Sequence, residues 1–308
     1  MDVLDDILGT LNLKGALYFR TDFSPPWAVT VPDLDGAARF HLVVQGQCHV
    51  TFASGATALL GPGDLVLIPG GRAHVIADAV GRAAPPLETV LEDAGYDGGG
   101  VLAIGDGDEH AATQLVCGHF TFRDGADHPL LRALPDHLLT SAGERAREPW
   151  LDETLRLLTR RIFAAGPGST AAVTRLSEAV FIELMRVGVN QSPQMAAIIA
   201  ALKDQQIGRT LELIHERPGA HWTVEKLAGE AGMSRSRYAE KFRSLIDMGP
   251  MAYLSEWRLQ KALALLDDRR CSVQQAASQT GYQSPAAFTR AFAAKFGASP
   301  TEYRRNHA

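Results

Sequence analysis

Three side chains capable of metal or redox chemistry, His41, His74 and Cys117, fall on three different predicted strands. Cys117 and His119 share strand parity, so both can point to one face. Soft sulfur together with imidazoles suits zinc, and the predicted donor set for one zinc ion is His41, His74 and Cys117. A second use is redox sensing through Cys117, which requires a reactive thiol that can oxidise and so change the packing around it. Against both stands core packing, the commonest fate of a single His or Cys inside a small β domain. His49, His110, His128 and His137 offer no matched spacing, and Cys271 reads as inert. Three cysteines are too few and too scattered for a disulfide framework, which predicts a reduced, cytoplasmic protein.

A second kind of chemistry is carried by a repeat. Segment 223–234, TVEKLAGEAGMS, matches segment 272–284, SVQQAASQTGYQS. Each copy has a capping Thr or Ser, then a small Ala (Ala228 or Ala277), a Gly (Gly232 or Gly281) and a Ser that opens a new helix (Ser234 or Ser284). The alanine permits close helix approach, the glycine suits a left-handed turn and the serine caps the next helix. Tyr238 and Phe242 match Phe288 and Phe292, each pair spaced to face a core. Two such copies about fifty residues apart, joined by a helical stretch over 250–267, spell two helix-turn-helix units.

The elements that must position these residues fall into three parts. Residues 1–148 read as an all-β domain, with short strands at Ala16–Phe19, Trp27–Val31, Phe40–Val44, His49–Phe52, Leu65–Ile68 and Leu115–Phe122. A long loop over 79–110 with a helical turn near Leu87–Leu91 interrupts them. Residues 149–195 change to helical period. Trp150, Leu151, Leu155, Leu158 and Ile162 form one stripe, and Val173, Leu176, Val180, Phe181 and Leu184 form another across a Gly166-Pro167-Gly168 break. These stripes either cover the β domain or form the interface of a homodimer. Residues 196–308 are all-α. Net charge is −11 over 1–148 and +5 over 199–308, which points the basic end toward a polyanion. No run of about 18 apolar residues exists to span a membrane, and the acidic start lacks the pattern of a secretory leader.

The C-terminal part resembles the DNA-binding domain of the AraC/XylS transcription regulators. The second unit carries the likeness through Ala276-Ala277-Ser278-Gln279-Thr280-Gly281-Tyr282-Gln283-Ser284, Phe288-Thr289-Arg290-Ala291-Phe292, Phe296-Gly297, Ser299-Pro300 and Tyr303-Arg304. Pro285 departs from the pattern at a first helical turn, where proline costs little. The front part resembles the cupin-type sensor domain of one branch of that family, through Phe40–Gly46, Gly63–Pro69, Ala73-His74-Val75 and Val116-Cys117-Gly118. Metal-binding cupins use His-x-His and a later Glu. Here Val43 stands two residues after His41, in place of the second His, and Arg39 stands near the Glu position, while His74 matches the fourth ligand.

The resemblance implies an N-terminal cupin barrel, a central helical segment and two helix-turn-helix units joined by a rigid helix. Their recognition helices would need about 34 Å between them to enter successive major grooves. In the first unit the exposed set is Arg235, Ser236, Arg237, Ala239, Glu240 and Lys241. By position in the family Ser236, Ala239 and Glu240 face bases, and Arg235, Arg237 and Lys241 take phosphates. In the second, Gln283, Ala286, Ala287 and Arg290 face the groove, with Arg290 set for a guanine, and Ser284 and Thr289 suit phosphates. The implied partners are promoter DNA, RNA polymerase and a small-molecule or redox effector, and the implied activity is transcription regulation, as an activator or a repressor. Two alternatives compete. A cupin metalloenzyme with an accessory DNA-binding domain would need the missing first-motif ligands. A DNA-repair methyl acceptor would need four clustered cysteines.

Overall fold

The computed structural model describes residues 2–98, 100–105, 112–163 and 167–306. His110 and Gly166 lie outside the described residues. In chain order the elements are α1 (Val3–Leu11), β1 (Lys14–Phe23), β2 (Ala28–Val31), β3 (Ala37–Gln45), β4 (Cys48–Phe52), β5 (Thr57–Leu60), β6 (Leu65–Ile68), β7 (His74–Ala77), α2 (Leu87–Asp93), β8 (Val101–Ile104), β9 (Gln114–Thr121), α3 (Pro129–Arg132), β10 (Leu138–Thr140) and α4 (Ala142–Arg145). The rest is helical: α5 (Pro149–Phe163), α6 (Ser169–Gly188), α7 (Pro193–Lys203), α8 (Ile207–Glu216), α9 (Val224–Glu230), α10 (Arg235–Ile246), α11 (Pro250–Leu266), α12 (Val273–Gln279), α13 (Pro285–Phe296) and α14 (Pro300–Asn306).

Packing divides the chain into two compact units. One comprises Leu13–Phe122 and Leu134–Gln191, and the other Met1–Asn12, Arg123–Ala133 and Ser192–Ala308. These limits differ from boundaries at 148 and 195, which follow changes of composition and period. Two stretches of the first 148 residues pack among the C-terminal helices instead. Sequence patterning registers local period, whereas unit membership depends on contacts between residues more than a hundred positions apart.

The β-rich unit holds a six-stranded sheet, β10-β6-β3-β9-β1-β8, and a four-stranded sheet, β2-β7-β4-β5. Among the described residues no ladder joins the two sheets, so the cupin expectation is met by two facing sheets and not by a closed barrel. Between them lies a core that includes Trp27, Val29, Val43, Val50, Ile76, Leu115 and Cys117. The other face of the six-stranded sheet is also covered. Phe120 stacks on Phe40 at 5.1 Å and meets Phe181 of α6 at 4.9 Å. A strand buried on both faces needs apolar residues at successive positions rather than at alternate ones, hence the unbroken burial of β3 from Ala37 to Val43. The stripes of α5 and α6, including Leu155, Leu158, Val180 and Leu184, are buried inside this unit. They cover the sheet, and the large apolar side chains that remain exposed among the described residues of α5 are Trp150 and Leu157.

Helix α6 approaches β1 closely at one point. A Cβ on Gly15 would lie 2.5 Å from Ser177 Oγ and 3.1 Å from its Cβ. Ser177 is fully buried and satisfies its hydroxyl by donating to the Val173 carbonyl of its own helix (2.8 Å).

The helical unit is tied together by a buried polar chain. His128 Nδ1 accepts the Leu130 N–H (3.1 Å), so the ring's proton sits on Nε2, which donates to Tyr253 Oη (3.1 Å). Tyr253 donates in turn to His215 Nε2 (2.7 Å), and His215 Nδ1–H donates to the Asp6 carboxylate (2.9 Å). Lys261 completes the chain by donating to Asp6 (2.5 Å). Burial alone would raise the Asp6 pKa, but the bonds from His215 and Lys261 outweigh it and hold it lowered. Helices α1, α3, α8 and α11 are thereby joined through side chains that show no local spacing. Helix α1 did carry a readable signal: Asp2 caps it, and Val3, Ile7 and Leu11 recur at four-residue spacing on its buried face.

A Gly15→Ala substitution should cost about 1–3 kcal/mol in urea unfolding, as overpacking does. Ser177→Ala should recover part of that loss, because it removes the nearest atom. Independent, additive effects of the two changes would show that this approach does not limit the packing of α6.

Candidate functional site

Two groups of side chains are candidates for function. The first lies between the two sheets. Strands β3 and β9 are antiparallel with Arg39 opposite His119, His41 opposite Cys117 and Val43 opposite Leu115. Alternation turns this set toward the inter-sheet core, where Val43, Leu115 and Cys117 are buried. His74 comes from β7 in the facing sheet.

Here the structure brings the three predicted residues together. His41 Nδ1 is 2.9 Å from Cys117 Sγ, and His41 Nε2 is 2.7 Å from His74 Nε2. His74 Nδ1 is 2.8 Å from the Arg72 carbonyl oxygen. All three side chains belong to residues no more than 4% exposed. Burial drives the His41 pKa well below 6.5, helped by His74 and by the positive charge of Arg39. Burial lowers His74 to about 4, against a raising bond to the Arg72 carbonyl, and lowers His119 to about 4. Burial also pushes the Cys117 thiol up, and lifts Cys48 to about 12.

The zinc expectation does not fit this geometry. A metal needs one lone pair from each donor converging on a point about 2.0–2.3 Å away. His41 instead spends its two ring nitrogens on partners at opposite edges of the ring. Its Nε2 also sits closer to His74 Nε2 than the roughly 3.4 Å that separates two ligands of a tetrahedral zinc. Among the described residues no three His, Cys, Asp or Glu side chains are grouped to hold a metal ion. Strand parity for Cys117 and the family position of His74 pointed both inward, but neither could tell a chain of hydrogen bonds from a cage.

The second group lies in the helical unit. Thr223 caps α9 by accepting the Lys226 N–H (3.2 Å), and Ser272 forms a reciprocal capping box with Gln275 at the start of α12. Gly232 and Gly281 adopt φ of +63° and +85°, the left-handed turn that their positions demanded. Ser284 caps α13 through the Ala287 N–H (3.4 Å), whereas Ser234 stands at the N-cap of α10 without a side-chain bond. Tyr238, Phe242, Phe288 and Phe292 are all fully buried. Between the units α11 buries Trp257, Leu259, Ala262, Leu263 and Leu266, as its stripe requires.

The faces of α10 and α13 opposite those aromatics are open. Arg235, Ser236, Arg237 and Glu240 are exposed and Ala239 is half-buried. Gln283, Ser284, Ala286, Thr289 and Arg290 are exposed and Ala287 is half-buried. Lys241 differs from the rest. Its ammonium lies 2.6 Å from Asp204 and 3.1 Å from the Gln206 side chain, so it braces α10 against the start of α8. Arg235 pairs with Glu225 of α9 at 2.8 Å.

Comparison with known proteins bears on both groups. A cupin family model matches residues 2–189, and a helix-turn-helix domain model matches residues 227–306. The HTH-type transcriptional regulator AlkR of Acinetobacter baylyi is 31% identical over 313 residues, with 99% of each chain covered. The chain belongs to the AraC-type transcriptional regulators that carry a cupin domain. The RCS-specific HTH-type transcriptional activator RclR of Escherichia coli (strain K12) is 28% identical over 267 residues, 86% of this chain and 84% of that one. Among solved structures, the DNA-binding domain of AdpA in complex with a target DNA is 31% identical, with a TM-score of 0.33, over 34% of this chain and 94% of that one.

As an AraC-type regulator the protein is a DNA-binding transcription regulator and not an enzyme. The comparisons give the metalloenzyme alternative no support. No described helix is long and apolar enough to cross a membrane.

The buried histidines make stability pH-dependent with a definite sign. His74 ordinarily titrates near 6.5 and is held at about 4 in the folded chain. Below pH 6.5 the unfolded chain takes up a proton that the folded chain refuses until about pH 4. Stability is therefore complete above pH 6.5 and falls from there toward pH 4, by up to ~1.4 kcal/mol per pH unit for each such histidine. Urea unfolding at pH 7.5 and pH 5 should show this loss, and His74→Gln should flatten it. An equal slope in the variant would show that His74 is not the group excluded from protonation.

Proposed function

We propose that α10 and α13 read two successive major-groove segments of promoter DNA, and that the cupin domain adjusts this reading in response to a small effector. The observation that carries the proposal is the pair of capped helix-turn-helix units on one buried connecting helix, each presenting short or polar side chains on its open face. In this reading Ser236, Ala239 and Glu240 meet base edges from α10, and Gln283, Ala286, Ala287 and Arg290 do so from α13. Arg235, Arg237, Ser284 and Thr289 hold phosphates. Lys241 supports the helix from behind, since its pair with Asp204 is half-buried, whereas the pair of Arg235 with Glu225 lies exposed.

The regulator acts as a homodimer on paired half-sites and activates transcription by contacting RNA polymerase. Support for the dimer comes from α5, where Trp150 (71% exposed) and Leu157 (40% exposed) stand seven residues apart and so share one helix face. Leu155 and Leu184 are excluded from that interface by their burial.

Selection of bound fragments from promoter DNA, followed by binding measurements on variants, tests the reading. Arg290→Ala should relax preference at one operator position by about 1–3 kcal/mol. Arg237→Ala should weaken all sequences evenly and reduce the salt slope by about one. Lys241→Ala should lower the unfolding midpoint more than it changes the salt slope. Non-selective loss with Arg290→Ala would remove that residue from base recognition, and salt-insensitive binding by the full chain would defeat the major-groove reading.

A further inference from the structure

The direction of every hydrogen bond around Cys117 is fixed by the last acceptor. The Arg72 carbonyl can only accept, so His74 carries its proton on Nδ1. Neutral His74 then offers a lone pair at Nε2, which obliges His41 to donate from its own Nε2. Neutral His41 is left with a lone pair at Nδ1, and the partner there is the thiol, which must donate. The result is a one-way chain from S–H through His41 and His74 to a carbonyl.

Its two ends open on different spaces. Cys117 and His41, with the buried Arg39, line a small cavity of about 20 Å³, room for roughly one water-sized molecule. His74 lines a separate cleft of about 220 Å³ together with Ser54, Arg72 and Asp136. Asp33 and Arg39 also act on His74, with opposite signs. Cys48 supplies an internal comparison: it belongs to the same buried core, but no hydrogen bond to a base is found for it among the described residues.

Resting on the reading of this domain as a sensor, we propose that Cys117 is its sensing thiol and that hydrogen peroxide, or a neutral peroxide of similar size, is the effector class. His41 acts as the base and His74 as the positioning residue that takes the proton onward. As a sulfur lone pair attacks one peroxide oxygen, the S–O bond forms and the O–O bond breaks. The thiol proton passes to His41 Nδ1, and the Nε2 proton of His41 passes to His74. The leaving hydroxide then recovers one proton from the histidine pair to become water. Cys117 is oxidised by two electrons to the sulfenic acid and the peroxide is reduced. Arg39 favours the thiolate character that develops on sulfur. Burial disfavours a resting thiolate, so reactivity comes from the contact with His41 at the moment of attack.

The test uses full-length protein carrying Cys271→Ser, exposed to hydrogen peroxide. Remaining thiols are alkylated after unfolding and read by peptide mass, with dithiothreitol reversal. Cys117 should oxidise at least tenfold faster than Cys48, at a rate nearly constant between pH 6.5 and 8.5. His41→Gln should slow Cys117 by about 10²-fold or more and restore a rise of about tenfold per pH unit. His74→Gln, which keeps a hydrogen bond to His41, should slow it less, and both variants should retain salt-sensitive DNA binding as evidence of folding. Equal oxidation of Cys48 and Cys117, or a His41→Gln rate like the parent's, overturns the proposal. So does a Cys117 that stays reduced while DNA binding answers to some other effector, an outcome that leaves the sensor reading standing. DNA binding that changes with no added effector at all defeats the sensor reading itself.

Discussion

The pairing of β3 with β9 is the constraint on which the β-rich unit depends. Both strands are buried on both faces, so every residue along them must find a partner on one side or the other. Toward the facing sheet the register aligns His41 with Cys117. Toward the helices it aligns Phe40 with Gly118 and Ala38 with Phe120. A Cβ at Gly118 would lie 2.5 Å from the Phe40 ring, so the glycine makes room for the aromatic layer that α6 closes. A slip of one residue would exchange the two faces and put imidazoles among the phenylalanines. Such a slip is opposed by the packing on one face and by the desolvation of unpartnered polar groups on the other.

The helical unit solves a related problem in the same way. Its central polar groups, His128, Tyr253, His215, Asp6 and Lys261, are joined end to end from the backbone N–H of Leu130, with each donor of the chain facing an acceptor. Tyr253 and Lys261 belong to α11, the helix that separates the two helix-turn-helix units. Arg258 of the same helix donates to the carbonyls of Pro218 and Ala220. Helix α11 is thus held from several sides, as the proposed reading of DNA by α10 and α13 requires of the helix between the two units.

Much of the helical unit was legible in the sequence because its determinants are local. Caps, left-handed glycines and aromatics at four-residue spacing each act within one turn of helix, and Ser272, Gly281, Phe288 and Phe292 take up the expected roles. The β-rich unit was legible only in part. Strands β5, β7, β8 and β10 are three to four residues or so in length, too short to show a period, and the covering role of α5 and α6 depends on what lies across from their stripes. Parity allowed Cys117 to point inward and the resemblance placed His74 there, yet the orientation of an imidazole edge has no trace in spacing. For the same reason Lys241 looked free beside its neighbours on α10, since Asp204 lies outside the repeat that defined it. His128 was set aside for want of matched spacing and Asp6 was passed over, because their partners stand 125 and 209 residues away in the chain.

The directional chain at Cys117 is the central claim, and the protonation sites of its two histidines test it most directly. Histidine-selective ¹⁵N NMR on the reduced protein at pH 7 distinguishes a protonated ring nitrogen from a bare one. His41 should carry its proton on Nε2 alone and His74 on Nδ1 alone, and Cys117→Ser should leave both assignments in place. Reversed tautomers, or an imidazolium at either residue, would contradict the account.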